Sequence, residues 1–344
     1  MSFKWIALPL FYRNAMAHFP VTNSNLSADH LAVFLREKYP FGPTCTCKLL
    51  RAGINDTYLV TDGQEKYVFR IYSLGWRTEL EIHEEIRLLN KLKENKISIS
   101  YPIVDAEGDY IQTLNAPEGN RLGVLFTFAD GEKISHFPAE IHYRIGSLVA
   151  RLHQVTEGMT LERVNYTSKI ILEDPFQYLQ KFLSADSDEM RYMQSSQKYL
   201  LDVFSKADTT QLRHGAVHLD IWFDNLNIDQ DKKITIFDFD FCGNGWLCFD
   251  IAYYILQIHN IERYEAKDYQ PKIDEFIRGY ESITQISDEE KRLIPALGVS
   301  LYFFYLGIQC QRYDNWSNTF LSENYLKRFI NGLVKRYFEI HKLG

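Results

Sequence analysis

The segment HGAVHLDIWFDNLNIDQDKKITIFDFD, residues 214–240, constrains this chain more than any other. Asn225 follows Asp220 by five residues, and Asp238 follows Asn225 by thirteen, across an apolar run, a polar turn and a second apolar run that read as a short β-hairpin. Asp238 is expected on its second strand. One loop and one hairpin thus gather three oxygen-bearing side chains. Moving a phosphoryl group needs such a set: a carboxylate to accept or orient the proton of an attacking hydroxyl, and two more oxygens to hold Mg²⁺ on nucleotide phosphates. Each residue alone would serve a turn or a cap equally well, so the joint spacing carries the argument. A second register competes, because His214-Gly215-Ala216 imitates the start of the loop with Ala in the acid's place. Only His218-Leu219-Asp220 has the required distance to Asn225, so the loop acid is present.

Around this segment the periodicity changes once. Leu31, Phe34 and Leu35 recur at helical spacing in residues 27–38, with Ser27 and Asp29 available as caps. A strand follows, then two β-branched and aromatic runs, 58–60 and 67–72, flanking the turn Thr61-Asp62-Gly63-Gln64. Ile82, Ile86 and Leu89 predict an amphipathic helix over 78–95, and three more strands are expected at 101–104, 110–113 and 123–128. Beyond Asp130-Gly131 the pattern turns helical: Ile141, Ile145, Leu148, Val149 and Leu152 mark one helix, and Asp174-Pro175 predicts the cap and first residue of another. The hairpin at 226–239 is the single β segment expected in this half. Helices are expected at 250–258, 272–283, 287–311 and 322–342, with Ser287 and Glu290 in capping-box register. The chain thus reads as α+β: an extension over 1–26, a sheet-rich lobe over 27–128 and a helical lobe over 129–344.

Composition closes off other classes. The chain has 344 residues, 46% hydrophobic and 24% charged, which predicts a globular fold. A net charge of −7 argues against a general nucleic-acid backbone binder, whose affinity comes from a basic surface. No stretch is read as a membrane-spanning helix, which needs about 20 apolar residues. Neither nucleic acid nor membrane is expected as a partner. Cys45, Cys47, Cys242, Cys248 and Cys310 are odd in number and form no CxxC pair, so they read as reduced thiols of a cytoplasmic protein. The apolar run 5–12 is broken by Pro9 and does not read as a secretory signal; Met16 is an alternative initiator.

HLDIWFDNLNI followed by IFDFDFCGNGWLCFDIAYYI resembles the aminoglycoside phosphotransferase and choline kinase superfamily, and within it the branch of homoserine-kinase-type and stress-response Ser/Thr kinases. The resemblance spans residues 27–340 and is tightest over 214–252. It implies a bilobal protein-kinase-like fold, with a small antiparallel-sheet lobe carrying one helix and a larger, mainly helical lobe. It also implies ATP and Mg²⁺ as cofactors and an alcohol as acceptor. Carried over by position, it makes Asp220 the catalytic base, Asn225 and Asp238 the metal ligands, and His218 and Asp250 the support of the catalytic loop. Gly53 and Asn55 fall in the short nucleotide-covering loop. Arg70 falls at the basic position that contacts phosphates, a role suited to forked guanidinium donors. Glu85 matches the helix glutamate that pairs with it, with Glu84 as the alternative, and residues 126–130, including Phe126 and Phe128, match the hinge beside the adenine. Leu219 replaces the Arg of protein kinases, Asp240 replaces the Gly of their DFG step, and no APE-like segment follows. These departures disfavour a phosphorylation-switched protein kinase.

The acceptor is expected in the helical lobe. Residues 259–290 hold nine acids against four bases, which suits either a cationic acceptor or a solvated helix face. Trp222, inside the catalytic loop, and Asp240 are candidate acceptor contacts; Trp246, Tyr253, Tyr254 and Trp316 read as core or as cation–π surfaces. The expected function is transfer of the γ-phosphate to a small-molecule hydroxyl on an amino-alcohol, aminoglycoside or hydroxy-amino-acid-like acceptor. The alternatives are a stress-response Ser/Thr protein kinase and a nucleotide-binding pseudokinase.

Overall fold

The computed structural model describes residues 19–262, 266–312 and 320–344. The run 5–12, Met16 and Trp316 lie outside the described residues. Ser27 caps helix α1 (Ala28–Lys38) by accepting the His30 amide. Strands β1 (Thr46–Ala52), β2 (Asp56–Asp62) and β3 (Glu65–Ile71) then form an antiparallel meander, and the β2–β3 turn places Gly63 at φ +62°. Helix α2 (Glu79–Glu94) opens with a Thr78/Glu81 capping box. Strands β4 (Pro102–Ile103), β5 (Ile111–Ala116) and β6 (Gly119–Thr127) complete the sheet in the order β1-β2-β3-β6-β4, with β5 on β6. Side chains alternate between its faces. Tyr58, Val60, Phe69, Ile71 and Leu125 pack on Leu31 and Leu35 of α1. Val124 and Phe126 face the other way, into the core that Ile82, Ile86 and Leu89 of α2 share with the helical lobe.

The helical lobe comprises α3 (Ala139–Thr156), α4 (Asp174–Leu179), α5 (Asp188–Ser205), β7 (His214–Val217), β8 (Leu226–Ile228), β9 (Ile234–Ile236), β10 (Gly243–Trp246), α6 (Cys248–Ile261), α7 (Ala266–Glu281), α8 (Asp288–Gln311), α9 (Glu323–Phe329) and α10 (Lys335–Ile340). Two ties fix it to the sheet. Residues 98–100 exchange backbone bonds with Ile236, and the linker after β6 is stitched to β8 through paired bonds between Glu132 and Ile228. Gly131 sits at φ +98° there, and a Cβ on it would lie 2.3 Å from the Ile228 carbonyl, so the crossing requires glycine.

Several expectations are corrected. A second two-stranded sheet, β7 with β10, accompanies the β8–β9 hairpin, and Ala216 is buried within β7. That strand explains why the competing His214 register is not the loop. Asp238 lies beyond β9, at φ +65°, rather than on it. Asp174 does not cap α4: the backbone is already helical through a π turn, Lys169–Glu173, and the Asp174 carboxylate receives Lys169 Nζ at 2.5 Å instead. Residues 322–342 form α9 and α10 around a second π turn, Ile330–Val334. Finally, α8 is long and apolar enough to cross a bilayer by length and composition, which the sequence reading passed over; 78% of its apolar window is buried inside the protein.

Candidate active site

The loop between β7 and β8 is held from below. Asp250, fully buried in the first turn of α6, accepts the amides of His218 at 2.9 Å and Leu219 at 2.6 Å, and His153 Nε2 at 3.0 Å. Burial opposes its charge, but these hydrogen bonds outweigh it and lower its pKa. Leu219 stands at φ +65°, a conformation costing about 1–2 kcal/mol for a side-chain-bearing residue. It persists because the carboxylate fixes the two amides leading into it, those of His218 and Leu219, while His218 Nδ1 takes the Asp220 amide that follows. The Asp220 amide donates to His218 Nδ1 at 3.1 Å, so the proton is on Nε2, which donates to the Phe237 carbonyl at 3.2 Å. Burial lowers the His218 pKa, consistent with that neutral tautomer.

Asp220 points into the cleft among neutral donors. Its Oδ1 accepts the Tyr253 hydroxyl at 2.6 Å and lies 3.2 Å from the Tyr305 hydroxyl, and its Oδ2 accepts Asn225 Nδ2 at 2.8 Å. Burial pushes its pKa up to about 8, with neighbouring Asp238 adding to the rise and the hydrogen bonds opposing it. A carboxyl poised there suits a general base at neutral pH. Asn225 spends its amide nitrogen on Asp220, which leaves Oδ1 as its atom for a cation. Asp238 accepts Arg70 Nη2 at 3.0 Å on one oxygen, and its side chain is 42% exposed to the cleft. An amide oxygen and a half-exposed carboxylate are hard oxygen donors of the kind Mg²⁺ takes, so these two residues fit the ion.

Arg70 joins the lobes. Its other nitrogen, Nη1, donates to Glu85 Oε1 at 2.8 Å, and Glu85 also receives the Tyr72 hydroxyl at 3.0 Å and Arg163 Nη1 at 3.5 Å. Glu84, the alternative partner, instead takes Arg87 at 2.7 Å and the Glu162 amide at 2.7 Å. Asp240, a candidate acceptor contact, is already held by the sheet-rich lobe. Its oxygens take Trp76 Nε1 at 2.7 Å and Arg77 Nε at 3.1 Å, and its side chain is 5% exposed. Burial opposes its charge, but Arg77, Arg70 and Arg163 hold its pKa down at about 2. It clamps the two lobes together and at the same time lines the second compartment described below.

The cleft has two compartments. One, of 520 Å³, is lined by Leu50, Val68, Phe126, Phe128, Ala129 and Phe239, the slot a flat heteroaromatic base fits. The other, of 380 Å³, is lined by Trp222, Tyr253, Gln257, Tyr302, Tyr305 and Phe329. Arg51, Arg70, Asp224, Asn225 and Asp238 line both, so the candidate metal ligands stand where the two meet. Gly53 and Asn55 line the second compartment and not the first, and Asn55 Oδ1 accepts the Ser73 amide at 3.1 Å. Asn260 of the acid-rich run lines this compartment, but none of the run's described acids does: Glu290 pairs with Arg213, Glu275 with Arg278 and Glu281 with Lys291, while Arg263, Glu265, Lys267 and Asp268 are outside the described side chains.

Sequence reasoning missed the two tyrosines on Asp220, the Arg77 and Arg163 clamps, and Asp224 with its partners. Tyr253 carried a signal, since it follows Asp250 by three residues on one helix face. Tyr305 carried none.

A family profile described as "Phosphotransferase enzyme family" matches residues 46–284. A homoserine kinase of Sinorhizobium fredii is 25% identical over 289 residues, covering 82% of this chain and 84% of that protein. Among solved structures, amicoumacin kinase hAmiN in complex with AMP-PNP, Ca²⁺ and Ami superposes with a TM-score of 0.72 at 21% identity, covering 90% of this chain and 94% of that one. The microcompartment-associated aminopropanol kinase superposes with a TM-score of 0.73 at 19% identity, covering 92% and 99%. Both structures share the bilobal fold described above.

Proposed function

Because the chain belongs to the phosphotransferase enzyme family, matched over residues 46–284, we propose that it moves the γ-phosphoryl group of ATP to a hydroxyl of a small molecule, an amino-alcohol, aminoglycoside or hydroxy-amino-acid-like acceptor. The observation that carries this reading is Asp220: a carboxyl with its pKa raised to about 8 lies at the wall of the second compartment, beside the residues that line both. The acceptor hydroxyl gives its proton to Asp220 as its oxygen bonds to the γ-phosphorus. The bond from that phosphorus to the β–γ bridging oxygen breaks, and ADP leaves. Asn225 Oδ1 and Asp238 would hold Mg²⁺, which neutralises charge on the phosphates and leaving oxygen when bound. Asp250 and His218 keep Asp220 aimed, and Arg70 orients Asp238 while fixing a positive charge at the junction.

The size of the acceptor compartment favours a small molecule over the protein-kinase alternative: 380 Å³ walled by α6, α8 and α9 accommodates a drug-sized ligand and not an extended polypeptide. The intact set of Asp220, Asn225 and Asp238 speaks against a pseudokinase. The similarity to homoserine, amicoumacin and aminopropanol kinases supports a hydroxyl acceptor on a small amine-bearing molecule.

The test is transfer of labelled γ-phosphate from Mg·ATP to pooled amino-alcohols, aminoglycosides, hydroxy amino acids, sugars and a generic protein. Asp220→Asn is expected to keep nucleotide affinity while losing about 10²–10⁴ in turnover, the worth of a positioned base. Asp238→Ala is expected to lose Mg·ATP binding and transfer together. Phosphate on protein alone, or unchanged turnover in Asp238→Ala, would sink the reading.

A further inference from the structure

The cations of the cleft are few. Among the described residues that line it, the bases are Arg51, Arg70 and Lys133. Arg70 is buried and already held by Glu85 and Asp238. Arg51 and Lys133 are both held by one carboxylate, Asp224: Arg51 Nη1 lies 3.1 Å from Oδ2, and Lys133 Nζ lies 2.8 Å from Oδ1. The three come from different corners of the mouth. Arg51 is near the end of β1, two residues before the Gly53 loop; Lys133 follows Gly131 in the linker; Asp224 adjoins Asn225 in the catalytic loop.

This grouping has the form of an anion site with an anion already in it. Two cations from opposite sides converge on the two oxygens of a single carboxylate, as they would on two oxygens of a phosphate chain. The occupant is weakly held. Side-chain exposures of 56% for Arg51, 45% for Lys133 and 26% for Asp224 put the pairs in the wet rim, where ion pairs contribute little net stability. A polyphosphate entering between the compartments carries more charge than one carboxylate and arrives where these groups meet. We propose that Arg51 and Lys133 form a phosphate clamp, and that Asp224 is its internal occupant until a polyphosphate chain displaces it. The inference deepens the kinase reading by assigning the nucleotide's phosphates two partners that the sequence did not suggest, and it stands on the cleft geometry alone.

The experiment measures binding of three probes, Mg·ATP, inorganic tripolyphosphate and adenosine, by calorimetry to the full chain and to Arg51→Ala, Lys133→Ala and Asp224→Asn. Each basic variant is expected to bind ATP and tripolyphosphate roughly tenfold more weakly while adenosine binding is unchanged, the size of one charge-assisted bond. Asp224→Asn is expected to bind both polyphosphates about two- to tenfold more tightly, because the internal competitor is gone. A gain in affinity cannot come from misfolding, so this variant guards the interpretation of the other two. Weaker ATP binding by Asp224→Asn would make Asp224 a metal or structural residue and overturn the proposal. So would equal losses for adenosine and ATP in the basic variants, or a wild-type chain that binds no tripolyphosphate. Failure of phosphate transfer with the binding pattern intact would refute the acceptor reading and leave the clamp standing.

Discussion

Replacing Tyr253 by Phe removes one hydroxyl from beneath Asp220 and leaves the ring that packs beside Tyr305. The lost bond is short, 2.6 Å from Tyr253 Oη to Asp220 Oδ1. A hydrogen bond to a charged group contributes about 1.5–3 kcal/mol, and about 1.4 kcal/mol corresponds to one pKa unit. The hydroxyl stabilises the ionised carboxylate, so its loss raises the Asp220 pKa by about one to two units from a starting value of about 8. In the proposed transfer Asp220 must be ionised to take the acceptor's proton. The acidic limb of kcat/KM therefore moves alkaline by the same amount, and activity near neutral pH falls roughly ten- to a hundredfold while the alkaline plateau is kept. The assay is the pH dependence of kcat/KM for whichever acceptor the transfer screen identifies, at saturating Mg·ATP for both proteins, so that nucleotide and metal affect them alike. A limb that stays in place while the plateau drops would refute the argument, since it would show that the hydroxyl shapes the site without setting the basicity of Asp220. Tyr305→Phe is expected to shift the limb less, because its hydroxyl is 3.2 Å from Asp220 and 2.7 Å from the Leu219 carbonyl.

Two further substitutions probe the scaffold. Asp250→Asn takes the buried charge from His153 and from the two loop amides. It is expected to cost about 3–5 kcal/mol, lower the melting temperature by about 4–7 °C and reduce turnover with ATP affinity retained; an unchanged melting curve would refute the bracing role. Gly146→Ala places a methyl 2.0 Å from the Phe276 carbonyl, in a crossing where Gly279 makes the reciprocal approach, 2.0 Å from the Tyr143 carbonyl. The helices α3 and α7 must separate, so a loss of about 1–3 kcal/mol is expected by chemical denaturation with activity preserved at low temperature, and wild-type stability would show that the contact is loose.

What could be read from the chain depended on how far apart the cooperating residues are. Asp220, Asn225 and Asp238 were legible because one loop and one hairpin carry them, and Arg70 with Glu85 because a strand and the next helix do. The β7–β10 sheet was not, since Gly215, Gly243 and Gly245 give its four-residue strands little β propensity of their own, and their pairing is set by what surrounds them. Tyr305 reaches Asp220 across 85 positions, and Arg77 reaches Asp240 across 163, distances over which periodicity carries no information. Asp240 shows the cost: next to a candidate metal-ligand position it reads as an acceptor contact, and it does line the second compartment, but nothing in the sequence signals that Trp76 and Arg77 hold its carboxylate. Asp174 failed for the opposite reason, because local cap chemistry was overridden by a π turn that carries the helix through it.

The buried arginines around α2 bear on how such a protein is controlled. Many kinases are turned on by swinging the corresponding helix inward to complete the ion pair with the strand cation. Here Glu85 is gripped from both sides, by Arg70 of the sheet and Arg163 of the helical lobe, and Arg77 at the foot of the helix is tied to Asp240. Swinging α2 out would strand several charges in a dry interior, each a loss of some kcal/mol. The ion pair that such kinases have to assemble is already made here, and turning the site off by moving α2 would have to break these buried contacts first.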